Sequence, residues 1–502
     1  MNRTVPPPST TPLSHAQIRM ILWGVVLSML LGALDQTIVV TALPTIGREL
    51  NDVQHLSWVV TAYLLTATAV TPLYGKLSDI HGRRSMLLTS IGVFLVGSVA
   101  CALARDVYLL IGARALQGLG GGGLLSLGMT IIGDVIAPRE RGKYQAYFAA
   151  IFVTSSVAGP VLGGLFAEYL HWSFIFWINL PIGAAAYLMT NQVLRLLPRR
   201  ERPHRVDILG ALTMVVATVA LLTMLTWGGT TFPWTSAPIV ALAAVSAVAW
   251  VLFWMRLRRA PEPFIPFSVL ANPVVRNGAA ATFFAVGTMV GLAVYVPLYF
   301  EAVLGMTAGQ SGVALIAFMG GTVAGATAAG RVMVHLERYK WASLVGLALG
   351  AVTVGALAIW PTSFSLAGLE VMFAIAGIGI GTIFPITTTA VQNAVPPHQM
   401  GTVTGVLNFF RSLGGAILVA VFGAVFLASV AAAGDLVSVQ AMVLEGAAAG
   451  KDFGATFRGV FAVAALMIVV SFVFMLAMEE RPLRSHIGDA GGETVTKTVA
   501  RS

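Results

Sequence analysis

Residues 75–84 read GKLSDIHGRR, a basic loop that joins the apolar runs 56–75 and 85–104. A weaker counterpart, GRVMVHLERYK at 330–340, follows the later apolar run 309–332. The first loop follows the second apolar run, and its counterpart follows the tenth. If the runs are divided into six, an inserted pair and six more, the two loops lie at equivalent points of the two groups of six. The two loops therefore predict two related halves of six membrane spans each, with an inserted pair between them.

The composition excludes a chain that is mostly surrounded by water. Of its 502 residues, 57% are hydrophobic and 10% are charged, and the mean hydropathy is +0.85. A soluble chain carries roughly 25% charged residues, so lipid must surround most of this one. A helix needs about 20 apolar residues to cross a bilayer, and it satisfies its own backbone there. The fourteen predicted spans are 19–42, 56–75, 85–104, 108–133, 144–168, 172–194, 207–227, 236–255, 277–300, 309–332, 342–360, 364–391, 402–430 and 458–478.

These spans predict an all-α membrane protein of 14 transmembrane helices. Its five segments are an N-terminal tail at 1–18, a six-helix bundle at 19–200, a linker helix pair at 201–265, a second six-helix bundle at 266–480 and a C-terminal tail at 481–502. The linker pair is bounded by two basic, proline-rich stretches, LPRRERPHRVD and RLRRAPEPFIP. Both tails are too short for a soluble output domain, which argues against a sensor.

The distribution of positive charge predicts the orientation. If both termini face the cytoplasm, 24 of the 30 Lys and Arg residues fall on the cytoplasmic side. Cytoplasmic loops of membrane proteins carry such an excess. We therefore expect a multi-pass protein of the inner (cytoplasmic) membrane with both termini in the cytoplasm. The net charge of +9 then reports topology rather than nucleic-acid binding.

Several other classes of site are excluded. The single cysteine, Cys101, allows no intramolecular disulfide and no cysteine metal cluster. Gly118, Gly120 and Gly123 match a dinucleotide-binding spacing, but they lie inside an apolar helix and not between a strand and a helix. No nucleotide, metal or other cofactor is therefore expected. A membrane-embedded enzyme would need a nucleophile, metal ligands or paired acids around one pocket, and the sequence offers none.

Four segments resemble motifs of the major facilitator superfamily, most closely its fourteen-span drug:proton antiporter branch. LDQTIVVTALP (34–44) resembles the first-helix motif, and GKLSDIHGRR resembles the loop signature. RALQGLGGG (114–122) resembles the fourth-helix motif, and SSVAGPVLGG (155–164) the fifth-helix antiporter motif. The resemblance extends over nearly the whole chain.

This resemblance implies the major-facilitator fold, two six-helix bundles around a central cavity, and export of small lipophilic, cationic drugs in exchange for protons. Its expected partners are the substrate, protons and the lipid bilayer, and a monomer is expected. Two alternatives remain open. One is a dedicated exporter of a single natural product, such as an antibiotic or a siderophore, and the other is a proton-coupled uptake symporter.

Ionisable residues within or at the ends of spans are candidates for proton coupling, because charges in lipid usually mark ion or substrate pathways. They are Asp35, Arg114 and Glu301. Burial favours the neutral form of a carboxylate and a nearby cation favours the charged form, so Asp35 is the candidate proton carrier. Arg114 stays charged and would tune it. Alternatively, Asp35 and Arg114 form a static ion pair, and Glu301 lies exposed at the interface.

The loop at 75–84 and the next loop on the same side predict a breakable latch at the inner face, as the resemblance also implies. Asp79 can pair with neighbouring arginines and hold one face shut in one conformation. The alternative is that these arginines only anchor the topology. The candidate latch residues are Gly75, Asp79, Gly82, Arg83, Arg84, Asp134 and Arg141.

The fifth span combines a proline with small residues, Gly159, Pro160, Gly163 and Gly164. Proline bends a helix and glycines let a neighbouring helix approach closely, which suits a rocking interface between the halves. Ordinary tight packing is the alternative.

Polar and aromatic residues within the spans are candidates for the substrate cavity. They are Trp58, Tyr63, Gln117, Asn179, Gln392, Asn393, Asn408 and Arg411. Trp58 could equally anchor the membrane interface, and the side chain of Arg411 could extend along its span towards water. The long loop at 431–457 either lies on the membrane surface or covers the exit.

Overall fold

The computed structural model describes residues 15–52, 55–138, 140–196, 207–229, 231–336, 338–432 and 454–483. The two predicted tails are outside this part for most of their length, and so is most of the 431–457 loop. The described residues form helices with short connections and no β-strand longer than the single bridge between Gly228 and Phe232. This all-α architecture confirms the predicted fold class.

The first half of the chain forms helices α1 to α7. They are α1 His15–Glu49, α2 Leu56–His81, α3 Arg83–Ala102, α4 Val107–Val135, α5 Arg141–Tyr169, α6 Phe174–Trp177 and α7 Asn179–Val193. The inserted pair is α8 Ile208–Trp227 and α9 Ala237–Arg259. The second half is α10 Phe267–Ala271, α11 Pro273–Leu304, α12 Ala308–His335, α13 Lys340–Ile359, α14 Leu366–Gly381, α15 Ile383–Asn393, α16 Met400–Ala432 and α17 Gly454–Ala477.

Thirteen apolar stretches of the described residues are long enough to cross a membrane, counting α6 with α7 and α14 with α15. The 29-residue helix α5 is the fourteenth helix of spanning length. Two of the predicted spans are interrupted, at Ile178 and at Thr382. Each interruption lies three residues before a proline, Pro181 or Pro385. Since proline has no N–H to donate to the carbonyl four residues earlier, the helical hydrogen bonding is interrupted at these points, while Ile178 and Thr382 keep right-handed helical dihedrals.

The hydrophobic core is divided between the two halves. One cluster is made only of residues from 274 to 478, around Phe300, Phe373 and Phe461. Two others contain only residues from the first half, one around Met29 and Phe94 and one around Trp172 and Phe176. Each half therefore has a hydrophobic core of its own.

Two helix pairs form the seams where the halves meet. Helix α2 packs on α16, and α5 packs on α12. The pair α8 and α9 covers the α2–α16 seam, where Leu222 of α8 lies in one apolar cluster with Leu65 of α2 and Phe409 of α16. The indole rings of Trp58 and Trp227 meet edge to face at 5.3 Å and add to this contact.

The counterpart loop at 330–340 forms hydrogen bonds with the end of its own half. The Tyr339 hydroxyl donates to the Arg481 carbonyl at 3.0 Å, and the backbone N–H of Lys340 donates to Glu480 Oε1 at 2.8 Å. Burial raises the pKa of Tyr339 to about 12, and the negative charge of Glu480 adds to the effect. The loop therefore fixes the segment after α17, while the loop at 75–84 has a different role.

Candidate functional site

Asp35 lies within α1 and is completely buried. Its Oδ2 accepts a hydrogen bond of 2.6 Å from Nη1 of Arg114. Its Oδ1 accepts from Nε2 of Gln117 at 2.8 Å and from Nδ2 of Asn179 at 2.9 Å. The structure thus brings four of the predicted site residues, from α1, α4 and α7, into one polar network inside the first bundle.

Arg114 is 1% exposed, and its guanidinium is held on several sides. Nε donates to the Val59 carbonyl of α2 at 3.0 Å, and Nη1 also donates to Gln117 Oε1 at 2.6 Å. Its Cζ lies 4.4 Å from the ring centre of Tyr63, which gives a cation–π contact. A buried ion pair is favourable only when further hydrogen bonds satisfy both ions, and this network supplies them.

Ser98 of α3 belongs to the network although the sequence did not single it out. Its hydroxyl accepts from Nε2 of Gln117 at 2.8 Å and from Nδ2 of Asn179 at 3.3 Å. The signal that could have found it is the adjacent Gly97, where a Cβ atom would lie 2.4 Å from Cα of Gln117. Only glycine allows α3 to approach α4 this closely, and that approach brings the Ser98 hydroxyl to Gln117.

The helix break at Ile178 positions Asn179 at the start of α7. This side chain is fully buried and reaches both Asp35 and Ser98.

A second site lies at the end of the bundle where α2 ends at His81 and α16 begins at Met400, which we call the latch end. Asp79 Oδ1 accepts from the backbone N–H of Gly401 at 3.0 Å. Its Oδ2 accepts from the N–H and the hydroxyl of Thr402 at 2.7 and 2.6 Å. Asp79 therefore caps the first turn of α16, a helix of the opposite bundle. The helix dipole adds to this attraction for a carboxylate.

Backbone contact at Gly75 makes this cap possible. A Cβ at Gly75 would lie 2.3 Å from the Gly401 carbonyl oxygen, and one at Gly401 would lie 2.4 Å from the Gly75 oxygen. Gly82 ends α2 with φ of +88°, in the region that favours glycine. The glycines of the loop thus serve the close approach of α2 and α16 and the turn that follows.

Arg83 holds Asp79 in place from within its own half. Its Nη1 lies 2.5 Å from Asp79 Oδ1, and its Nε lies 2.7 Å from Asp134 Oδ2. Arg84 is directed elsewhere and donates to the side-chain oxygen of Asn191 in α7. The predicted latch therefore contains the triad of Asp79, Arg83 and Asp134, whereas Arg84 forms its hydrogen bond within its own bundle.

Arg141 makes a second contact across the halves. Its Nη1 donates to Gln392 Oε1 of α15 at 3.1 Å, while Nε donates to the Ile136 carbonyl at 2.9 Å. Gln392, which the sequence predicted in the cavity, lies at this contact and also donates to Thr404 of α16 at 3.0 Å. We call these contacts, together with those of Asp79 and Arg83, the latch.

The other predicted cavity residues are dispersed. Trp58 packs on Trp227 of the inserted pair, and Asn393 donates to the Pro482 carbonyl at 3.0 Å, within the second half. Asn408 accepts from Nη1 of Arg411 at 3.0 Å on the face of α16. Asn408 and Arg411 therefore share a site that is separate from the Asp35 network.

Glu301 lies far along the chain from the Asp35 network, near the end of α11. Its Oε1 accepts from the Ser311 hydroxyl at 2.7 Å, across the turn that leads into α12. Gly305 in this turn has φ of +65° and closes α11. The observed partner of Glu301 is therefore a neighbouring helix start, and not Asp35 or Arg114.

Two of the predicted glycines of α5, Gly159 and Gly163, face α1 of the same bundle. A Cβ at Gly159 would lie 2.0 Å from Thr37 Oγ1, and one at Gly163 would lie 2.3 Å from the Ile38 carbonyl oxygen. The Thr37 hydroxyl donates to the Ser155 carbonyl at 2.7 Å. At Gly164 a Cβ would meet nothing within 4 Å, and Pro160 is exposed. The close packing at Gly159 and Gly163 thus ties α5 to Asp35's helix rather than to the second half.

Comparison with known proteins agrees with this architecture. Residues 25–419 match the model of the Major Facilitator Superfamily. The chain is 34% identical to Multidrug resistance protein 3 of Bacillus subtilis, over 83% of this chain and 81% of that one. It is 33% identical to the multidrug transporter protein MdtP of the same organism, over 81% and 75%. The crystal structure of the human organic anion transporter MFSD10 shares the fold, with a TM-score of 0.62 and 17% identity over 91% of this chain and 99% of that one.

Proposed function

Since the chain belongs to the major facilitator superfamily, we propose that it is a proton-coupled antiporter that exports small lipophilic molecules, cationic drugs among them. The family and its relatives make the chain a multi-pass membrane transporter of small molecules and not an enzyme. Export of drugs is supported by the multidrug names of those two relatives.

The observation that carries proton coupling is the network of Asp35. This carboxylate is fully buried inside a span and is the only acid in contact with Arg114 among the described residues. Protonation of Asp35 removes the charge that holds Nη1 of Arg114. It also weakens the hydrogen bonds from Gln117 and Asn179, because a neutral acid is the poorer acceptor. Binding of one proton thus weakens the contacts of α1 with both α4 and α7.

The latch supplies the second requirement, a gate that opens and closes. Alternating access needs two conformations that differ by only a few kcal/mol. Asp79 and Arg141 contact α16 and α15 through a few hydrogen bonds, and the backbones of α2 and α16 touch at Gly75. These contacts close the latch end in this conformation. When they break, the two bundles can rock apart there.

The orientation follows from the charge distribution. The latch end carries Lys76, Arg83 and Arg84, and the predicted topology places 24 of 30 basic residues on that side. Cytoplasmic loops carry an excess of Lys and Arg. The latch therefore faces the cytoplasm, both termini lie there, and the substrate enters from that side of the inner membrane before release outside.

Transport of ethidium, a fluorescent lipophilic cation, into proteoliposomes under an imposed pH gradient tests this proposal. The wild-type chain is compared with Asp35→Asn and with Asp106→Asn, a matched control at an exposed helix cap. We expect wild type and the control to move ethidium uphill, and Asp35→Asn to lose coupled transport.

Two results would count against the proposal. If Asp35→Asn couples as well as wild type, Asp35 has a structural role only and Glu301 becomes the next candidate. If wild type moves no ethidium under any gradient, export of cationic drugs is wrong, and a dedicated exporter of one compound becomes the better explanation.

A further inference from the structure

Arg411 lies on α16 with 8% of its surface exposed and is surrounded by neutral groups. Nη2 donates to Thr388 Oγ1 at 2.6 Å and lies 3.5 Å from the Phe384 carbonyl oxygen. Nη1 donates to Asn408 Oδ1 at 3.0 Å and lies 3.4 Å from Met129 Sδ. The ring of Phe384 is 5.3 Å from Cζ. The guanidinium is thus buried with hydrogen bonds but without a negative charge.

Two other arginines of the candidate sites differ in this respect. Arg114 pairs with Asp35, and Arg83 pairs with Asp79 and Asp134. In the part of the chain that the structure describes, Arg411 has no acidic side chain within ion-pair distance. Burying a cation without a counter-charge is costly, and such residues inside a membrane mark substrate or ion pathways.

Two hydrogen-bond donors at this place also lack an acceptor. They are Nε of Arg411 and Nδ2 of Asn408, both buried. Native proteins satisfy the large majority of their buried donors, so the pair indicates an acceptor that is absent from the protein. A carboxylate fits best, because it brings the missing charge and two oxygens that match the planar guanidinium.

The position of Arg411 suits a molecule that enters between the bundles. Its contact with Met129 of α4 crosses from the second half to the first. Arg411 is eleven residues from the start of α16, about 16 Å along the helix from the latch end. Met129 is fifteen residues from Arg114 along α4, about 22 Å. The site is therefore inside the membrane, between the halves, and separate from the Asp35 network.

We propose that Arg411 and Asn408 form a subsite that binds the carboxylate of an exported lipophilic acid or zwitterion. The inference rests on the proposed export function and specifies its substrate class. Met129 and the ring of Phe384 offer a polarisable, apolar surface for the rest of the molecule. When the latch opens, Met129 moves away with the first bundle and the guanidinium becomes accessible from the cytoplasmic side.

Equilibrium binding of two matched probes tests the subsite. 1-Pyrenebutyric acid and 1-pyrenebutylamine share one apolar body and carry opposite charges. The full chain in phosphatidylcholine nanodiscs is titrated with each probe, and pyrene fluorescence polarisation is measured without a pH gradient. We expect Arg411→Gln to lower the affinity for the acid about tenfold or more without lowering the affinity for the amine. Arg331→Gln, the same substitution at an exposed position of α12, is the matched control and should change neither.

Equal losses for both probes in Arg411→Gln, or unchanged binding of the acid, would overturn the proposal. If that variant does not fold, Asn408→Ala replaces it, and a selective loss of acid binding is again expected. A lipid phosphate offers the same oxygen chemistry as a carboxylate. If phosphatidylglycerol in the nanodiscs abolishes binding of the acid, the site belongs to the lipid and the substrate assignment is wrong.

Binding is measured here without a proton gradient, so its outcome is independent of proton coupling. Loss of the ethidium transport described above would reject the antiport mechanism and leave the acid-binding subsite standing. Conversely, equal effects on both probes would reject the subsite while coupled transport by wild type remained.

Discussion

Asp79 in the first half caps α16 in the second half through Thr402, whose backbone N–H and hydroxyl lie 2.7 and 2.6 Å from Oδ2. The two residues are 323 positions apart in the sequence. This contact requires the two halves to be close together at the latch end, so its hydrogen bonds form only in the conformation that is closed there.

Asp79→Asn should favour opening at the latch end. The variant keeps the shape of the side chain but removes the charge that accepts from Gly401 and Thr402, and hydrogen bonds to charged groups are worth about 1.5–3 kcal/mol. Opening is measured with Thr404→Cys in a Cys101→Ser background, because Thr404 is buried in this conformation. A membrane-impermeant maleimide should label this cysteine about tenfold faster when Asp79→Asn is also present. Asp106→Asn, which alters a helix cap elsewhere, is the control. Equal labelling rates in Asp79→Asn and the control would contradict a gating role for this carboxylate.

Arg114→Gln should destabilise the protein by about 3–5 kcal/mol, because it leaves the buried Asp35 carboxylate without its cation. The double variant Asp35→Asn/Arg114→Gln should recover much of this loss, since neither charge then remains. Thermal unfolding in detergent measures both effects. Ethidium transport should be absent in the single and the double variant alike. If the double variant regains coupled transport, the ion pair is dispensable and the proton binds elsewhere.

Gly163→Ala should impair the protein more than Gly164→Ala. At Gly163 the new Cβ would lie 2.2 Å from Thr41 Oγ1 and 2.3 Å from the Ile38 oxygen, whereas Gly164 has nothing within 4 Å. We expect a lower unfolding temperature and less transport for the first variant and near wild-type behaviour for the second. Matching losses in both variants would show that the helix needs flexible glycines and not a close contact with α1.

Tyr339→Phe should lower stability by about 1 kcal/mol through loss of the hydrogen bond to the Arg481 carbonyl. The pKa of Tyr339 is raised from 10.0 to about 12 in the folded chain, so its neutral form is favoured there. This stabilisation is complete below pH 10 and is lost as the pH rises towards 12. The difference in unfolding temperature between wild type and variant should therefore shrink over that interval. A constant difference up to pH 12 would show that the phenol does not titrate there.

The sequence is sufficient to predict the spans and the pairing of Asp35 with Arg114, whereas it placed Gln117 and Asn179 in the substrate cavity and not in the network of Asp35. Asp35, Arg114, Gln117 and Asn179 are polar residues inside apolar runs, and lipid leaves them few partners except one another. Ser98 could not be predicted as part of the network, because a serine hydroxyl can donate its hydrogen bond to a backbone carbonyl of its own helix. The interrupted spans were predicted as continuous, although Pro181 and Pro385 mark the breaks.

The partner of Asp79 could not be predicted in the same way. Two of the three hydrogen bonds that it accepts from α16 come from backbone N–H groups, and every helix start offers such groups whatever its side chains are. Which start lies opposite depends on the arrangement of the two bundles. Gln392 illustrates the same difficulty, since an amide inside a span fits a cavity as well as a contact between halves, and only its distance to Arg141 decides.

The inserted pair α8 and α9 also affects how a membrane-dissolved molecule can approach. By packing over the α2–α16 seam at Leu222 and Trp227, it separates that side of the transporter from the acyl chains. In the described part of the chain, no comparable helix pair covers the α5–α12 seam. The two lateral faces are therefore unequal, because the inserted pair covers one seam between the halves and not the other.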